Sequence, residues 1–299
     1  MERAYGHNGV PEIDFLTPST ISEAVNLLQE YGSRSKILAG GTDLVFLMRD
    51  RAITPEHVID IKEISEIQGL EKDENNLNIG AITKVRDIQK SELVKNQFTA
   101  LNQAASQLGS TQVRNMATVG GNLCRASPSG DICCAMLALE ANLKINGPEG
   151  TREINIDNFF KGPSETALEG GEILTQIQVP NVRENEETGF LKVGRVGVDI
   201  AKINTAVKMK FEGEVCTDCR ISLGAAGPTP LRMKEAEKIV KEDIEVGADN
   251  KDVLKDVEDT VSKSCSPITD VRCTEEFART NGGKIIARTI RDILKRRSN

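Results

Sequence analysis

Aromatic rings are scarce in this sequence. It has no tryptophan, two histidines, two tyrosines and eight phenylalanines in 299 residues. Few stacking platforms are therefore on offer for single-stranded nucleic acid, and a net charge of -7 disfavours a phosphate-backbone partner. The one basic stretch, Lys284 to Arg297, carries Ile285, Ile286, Ile290, Ile293 and Leu294 at helical spacing, so the solvated face of a packed helix accounts for it. His7 and His57 are too few for a histidine-based triad or a histidine-rich metal centre. No run approaches the roughly 18 apolar residues of a membrane span, and no charged-then-apolar leader opens the chain. Cytoplasmic residence without a membrane span is the expectation.

Further absences narrow the chemistry. Seven cysteines, an odd number, point to reduced thiols rather than a disulfide framework. Cys216 and Cys219 form one C-x-x-C with no second pair at zinc spacing, and Cys124, Cys133 and Cys134 lack the spacing of an iron–sulfur site. No G-x-G-x-x-G follows a strand, and no G-x-S-x-G offers a hydrolase elbow. Gly282-Gly283-Lys284 is not a phosphate loop, because Ala278 stands where its first glycine belongs.

What is present is a mixed α+β pattern, 38% apolar and 28% charged, suited to two or three subdomains. Thr20-Ile-Ser-Glu23 reads as a capping box opening a helix that Gly32 can end, and Lys36 to Ala39 as a short buried strand. Strands are predicted at 57–61 and 77–82, and helices at 84–95, 98–108 and 131–141. Gln112 to Asn122 reads as a strand-like run into a tight turn. Strands near 142–146 and 172–179 follow, then a polar boundary at Asn181 to Thr188. Beyond it, 190–193, 204–212 and 215–224 read as an antiparallel sheet, followed by helices at 233–241, 250–263 and 275–297.

Two stretches carry the chemistry, Ala39-Gly40-Gly41-Thr42-Asp43 and Thr118-Val119-Gly120-Gly121-Asn122. A dianionic pyrophosphate needs inward-pointing backbone N–H groups and no side chain in the way, which paired glycines provide. Either pair alone is compatible with a plain tight turn. Two in one domain favour a dinucleotide held along both. Asp131 can accept from a ribose or adenine edge, or serve as an N-terminal helix charge.

These residues also carry a resemblance. Ile37-Leu-Ala-Gly-Gly-Thr-Asp-Leu44 and Gln112-Val-Arg-Asn-Met-Ala-Thr-Val-Gly-Gly-Asn122, followed by Ala126-Ser-Pro-Ser-Gly-Asp131, resemble the two flavin motifs of the medium subunits of the xanthine dehydrogenase and carbon monoxide dehydrogenase family of molybdenum hydroxylases. Ile79-Gly-Ala81, Asp157-Asn-Phe-Phe160, Glu172-Ile-Leu174, Phe190-Leu-Lys192 and Arg195 follow the family's order, so the resemblance covers nearly the whole chain. It implies a PCMH-type (vanillyl-alcohol-oxidase-like) FAD-binding fold: FAD-binding subdomains over 1–62 and 63–182, then a sheet-and-helix C-terminal domain over 183–299.

By that resemblance Leu38, Ala39, Gly40, Gly41, Thr42 and Asp43, with Thr118, Val119, Gly120, Gly121 and Asn122, cradle the pyrophosphate. Asp131 holds the adenosine end, Leu108 and Leu174 lie by the isoalloxazine, and Lys192 reaches its polar edge. An ammonium there can stabilise the negative charge that reduction leaves and raise the potential. Leu108 stands where animal relatives carry Phe, which puts ring stacking in doubt. The implied role is an electron relay. It takes electrons from [2Fe–2S] clusters in a small partner subunit, while a large molybdopterin subunit oxidises the substrate, and passes them to a soluble acceptor such as NAD(P)+. The rivals are a self-contained FAD oxidoreductase, for which no substrate domain is visible, and a flavin-free scaffold, which would not need the four glycines.

Overall fold

A computed structural model describes residue 9 and residues 11–298. His7 and most of the expected N-terminal arm lie outside the described residues. Among the described residues three main sheets follow one another along the chain. The first is β1 (Asp14–Leu16), β2 (Ser35–Leu38) and β3 (His57–Asp60), all parallel, in the order β1-β3-β2. Parallel neighbours need crossovers, supplied by α1 (Ile21–Tyr31) and α2 (Leu44–Arg49). Thr20 caps α1 by accepting from the Glu23 N–H at 3.2 Å, but the Glu23 carboxylate turns to the N–H of Ser19 at 2.7 Å, so the capping box closes one residue early.

The second sheet is antiparallel, in the order β4-β5-β10-β6-β7. Its strands are β4 (Leu70–Lys72), β5 (Asn76–Gly80), β6 (Asn142–Gly147), β7 (Gly150–Asn155) and β10 (Ile173–Pro180). A small hairpin, β8 (Phe160–Gly162) with β9 (Glu165–Thr166), precedes β10. Six helices fill the β5–β6 connection: α3 (Val85–Lys90), α4 (Glu92–Gln97), α5 (Thr99–Gln107), α6 (Thr111–Met116), α7 (Val119–Arg125) and α8 (Asp131–Ala138). The expected 84–95 helix is two, because Ser91 ends α3 and caps α4 through the Val94 N–H.

The expected strand from Gln112 to Asn122 is not there. Ser110 caps α6 through the Val113 N–H, and Thr118 caps α7 through the Gly121 N–H, each at the third residue onward. Apart from one isolated bridge between Thr118 and Lys84, the stretch is helical. The β-branched Val113, Thr118 and Val119 suggested a strand, and tertiary bonds override that preference. Val119 N–H donates to Thr83 at 2.9 Å and Gly120 N–H to Ala81 at 2.8 Å.

The third sheet is the meander β11 (Glu186–Val193), β12 (Ile203–Glu212), β13 (Val215–Gly224) and β14 (Leu231–Arg232). Side chains alternate across it with period two. Ile203, Val207, Met209, Ile221 and Leu223 pack with α9 (Lys234–Asp243), α10 (Lys251–Ser264) and α11 (Glu275–Arg297). The intervening Phe190 and Ala206 belong to the core built around the second sheet, and α5 and α8 cover that face. Ser222 confirms the phase, since its hydroxyl reaches the Cys134 carbonyl of α8 at 2.6 Å. A one-residue slip would turn each face over. Among the described residues no helix is long and apolar enough to cross a membrane.

Helix α11 meets α10 at Gly283, where an added Cβ would lie 2.7 Å from the Glu258 carbonyl oxygen. At the neighbouring Gly282 it would meet only side-chain ends, Leu223 Cδ2 being nearest at 3.2 Å. Gly283→Ala is expected to destabilise the chain by about 1–3 kcal/mol through overpacking. At Gly282 the helical gain of alanine over glycine, about 1 kcal/mol, offsets a smaller clash. Urea titration of both variants checks the contrast, and equal midpoints would refute it.

Candidate functional site

Strand β2 delivers Leu38 and Ala39 to a loop at the edge of a cleft between the first two sheets. The cleft holds about 420 Å³ and is lined by Ala39 to Leu44, Ala81, Ala117, Thr118, Gly120 to Asn122, Ile173 and Leu174, among others. Gly41 has φ +73°, a left-handed conformation that a side chain would strain. At Gly40 an added Cβ would fall on the Met116 carbonyl oxygen, and at Gly120 it would lie 2.7 Å from that of Ala81. Each glycine therefore lets two backbones touch, and the two motifs expected to act together do meet.

Their parts in the cleft differ. Among the described residues, the N–H groups of Gly40, Gly41, Thr42, Asp43 and Leu44 find no acceptor. Five successive unpaired donors make a cradle for an anion. In the second motif the N–H groups of Val119 and Gly120 are taken by Thr83 and Ala81, that of Gly121 by the Thr118 hydroxyl at 3.1 Å, and that of Asn122 by the Thr118 carbonyl. The second glycine pair therefore contributes space rather than donors. Leu38 and Val119 are outside the lining: Val119 is fully buried, and Leu38 Cδ1 lies where a Gly41 Cβ would point.

Asp131, Lys192 and Leu108 lie elsewhere, outside the cleft lining. Lys192 Nζ donates to Asp131 Oδ2 at 2.7 Å and to the Gln107 carbonyl at 2.9 Å, beside Leu108. Both charged side chains are buried, at 4% and 6% exposure. Asn204 holds the other carboxylate oxygen at 2.6 Å. Burial pushes the Asp131 carboxyl upward, while the Lys192 ammonium and the Asn204 amide pull it back. Asp131 and Lys192, expected at opposite ends of an extended dinucleotide, instead form one ion pair. Alternation explains this: Lys192 and Asn204 are cross-strand partners on the sheet face that receives the start of α8.

Residues without a motif of their own also border the cleft. Arg125 and Ser164 line it, as does Cys124, whose thiol burial pushes up to about 12. Glu172, next to the lining residues Ile173 and Leu174, takes a two-pronged hydrogen bond from Arg152 of β7, at 2.6 and 2.7 Å. A charge at the N-terminal side of a strand gives no sequence signal of such a brace.

Unpaired donors over a glycine-floored cleft, set between a parallel and an antiparallel sheet, are what a dinucleotide-binding flavoprotein requires. Comparison with known proteins makes the class specific. Residues 11–182 match the FAD binding domain in molybdopterin dehydrogenase, and residues 189–293 match the CO dehydrogenase flavoprotein C-terminal domain. The glyceraldehyde dehydrogenase medium chain of Sulfolobus acidocaldarius is 32% identical, over 90% of this chain and 94% of its own. The carbon monoxide dehydrogenase medium chain of Hydrogenophaga pseudoflava is 31% identical, over 94% and 96%. A solved structure of carbon monoxide dehydrogenase from that organism superposes with a TM-score of 0.92 at 31% identity, covering 96% of this chain and 98% of its own. The xanthine dehydrogenase FAD-binding subunit of Escherichia coli O157:H7 is 29% identical over 87% and 88%. The chain belongs to the family of FAD-binding oxidoreductase subunits of the molybdenum hydroxylases.

Two predictions follow from this geometry. Gly40→Ala forces the loop off Met116, a strain of about 1–3 kcal/mol, so FAD affinity is expected to fall about ten- to a hundredfold. Titration of the flavin-stripped variant measures it, and unchanged affinity would exclude close approach at this loop. The second concerns pH. The Arg152 guanidinium holds the Glu172 carboxyl below its ordinary value of 4.5. A depressed folded-state value adds stability that is present above about pH 4.5 and lost as pH falls through the folded value. Glu172→Gln should therefore unfold more easily than the parent at pH 7 and differ less from it near pH 3. A constant difference across that range would show the carboxylate's charge to be irrelevant.

Proposed function

We propose that the chain is the electron-relay subunit of a molybdenum hydroxylase. It takes electrons from [2Fe–2S] clusters of a small partner subunit and delivers them to a soluble acceptor, NAD(P)+ first. A large molybdopterin subunit would choose and oxidise the substrate. The observation that carries this reading is the run of five unpaired N–H groups from Gly40 to Leu44, over a floor where no Cβ fits.

The residues present fit the cofactor. The loop from Gly40 to Leu44 would hold the FAD pyrophosphate, with Thr118, Gly120, Gly121 and Asn122 as the opposing wall. Bound FAD would supply two-electron chemistry toward a nicotinamide and one-electron chemistry toward iron–sulfur centres. Leu108 and Leu174 would exclude water from the ring. Lys192 would hold a fixed positive charge near its edge, with Asp131 and Asn204 keeping the ammonium in place. Asp131 thus moves, in this proposal, from the adenosine end to the flavin end. The units would span 1–62, 63–182 and 183–299, with the relay working in the cytoplasm.

The chain purified from its source should carry FAD and bring with it polypeptides containing molybdenum and iron. Added anaerobically, NADH or NADPH should bleach the flavin absorbance. A flavin that dithionite reduces but neither nicotinamide does would rule out that acceptor. A flavin-bearing chain that turns over alone, without metal-bearing partners, would sink the relay. Lys192→Met, paired with Asp131→Asn so that no buried charge is stranded, should shift the flavin midpoint potential by about 30 mV for each 1.4 kcal/mol of lost electrostatic preference.

A further inference from the structure

Arg125, the last residue of α7, is a charged group in the cleft wall with no part in the assignments above. Its guanidinium joins two walls. Nε donates to Asp43 Oδ1 at 3.2 Å, on the loop of unpaired N–H groups, and Nη1 donates to the Ser164 hydroxyl, in the β8–β9 connection. Nη2 has no acceptor among the described residues. All three residues line the cleft. The arginine's seat is firm: the Ser164 N–H donates to the carbonyl of Ala126 at 3.1 Å, and both residues adopt left-handed backbone angles, φ +63° and +47°. Non-glycine residues hold such angles only where their surroundings impose them.

We propose that Arg125 is an exchange latch for the diphosphate of the dinucleotide, with Asp43 as the resident anion that the diphosphate displaces. The inference rests on the FAD reading of the cleft and assigns a side chain to it. A diphosphate in the cradle of Gly40 to Leu44 meets backbone dipoles there but needs a full positive charge as well. The lining offers two cations, Arg125 and Lys36, and one carboxylate, Asp43. A guanidinium presents its donors in a planar fork that suits two phosphate oxygens at once.

Asp43 belongs to the same loop as the unpaired donors, so its carboxylate lies close to the incoming phosphates and repels them. Its pair with Arg125 is a weak one to break. The two side chains are 59% and 35% exposed, and water and salt screen such a contact. The diphosphate, held by five N–H groups as well, is the stronger partner. In the free protein Asp43 therefore keeps the arginine placed and discourages other anions. In the loaded protein it sets how readily the cofactor leaves.

The test uses the full-length chain stripped of flavin and titrated with FAD, followed by flavin fluorescence, with riboflavin in parallel as a ligand without phosphate. Arg125→Ala should raise the FAD Kd about ten- to a hundredfold, the effect of losing a charge-assisted hydrogen bond. Arg125→Lys should recover part of it. Asp43→Asn should act in the opposite sense, lowering the FAD Kd about two- to tenfold, the range of a screened charge contact. Riboflavin binding should change with none of them. Parent-like FAD affinity in Arg125→Ala, or weakening by Asp43→Asn as large as that by Arg125→Ala, would overturn the latch while leaving the FAD site intact. A parent chain that takes up no FAD would overturn both.

Discussion

Two backbone contacts shape the cleft. Gly40 rests on the carbonyl of Met116, and Gly120 rests on that of Ala81. The first, main chain against main chain with no carbon between, seats the loop after β2 on the end of α6, and the second seats α7 on the residue after β5. Polar backbone so placed needs its bonds satisfied. In α7 they are satisfied internally, by Thr83, Ala81 and Thr118. In the loop after β2, among the described residues, they are not. One motif supplies donors and the other supplies room.

The second organising element is the alternation of the C-terminal sheet. Ile203 and Val207 of β12 and Ile221 and Leu223 of β13 face α9 to α11, while Ala206 of β12 and Ser222 of β13 face α5 and α8. On that second face Lys192 and Asn204 converge on Asp131. Removing two opposite charges from water costs several kcal/mol per ion, so a pair at 4% and 6% exposure persists only when its remaining hydrogen-bonding capacity is met. Gln107 and Asn204 meet much of it. The pair is consequently a fixed charge arrangement.

Much of this was legible from residues alone. Periodicity located the long helix 275–297 and the strands 204–212 and 215–224, where the alternating pattern is long and uninterrupted. Paired glycines marked both sides of the cleft. What escaped were features set by tertiary contact. The stretch from Gln112 to Asn122 has strand-forming residues but is helical, because its end N–H groups bond to Thr83 and Ala81, far from it in sequence. Arg125 and Ser164 have no motif of their own. The meeting of Asp131 with Lys192 depends on strand register, which hydrophobic pattern implies only once the partner strand is known. Family resemblance correctly indicated the fold and FAD, yet it set Asp131 apart from the lysine it touches.

The C-terminal sheet has one further consequence. Helices cover it on both faces, and those on one face, α5 and α8, come from the preceding unit. Gln103 of α5 accepts from the Phe190 N–H at 2.8 Å, and Thr188 accepts from the Ala100 N–H at 3.0 Å. A fragment starting near residue 189 would thus carry a sheet with one bare side, its Phe190, Ala206 and Ser222 turned to water. The fragment before it would lose the lid over α5 and α8. The boundary between the two matched family regions is therefore not a boundary in folding: the halves are recognised separately, but each completes the other's interior.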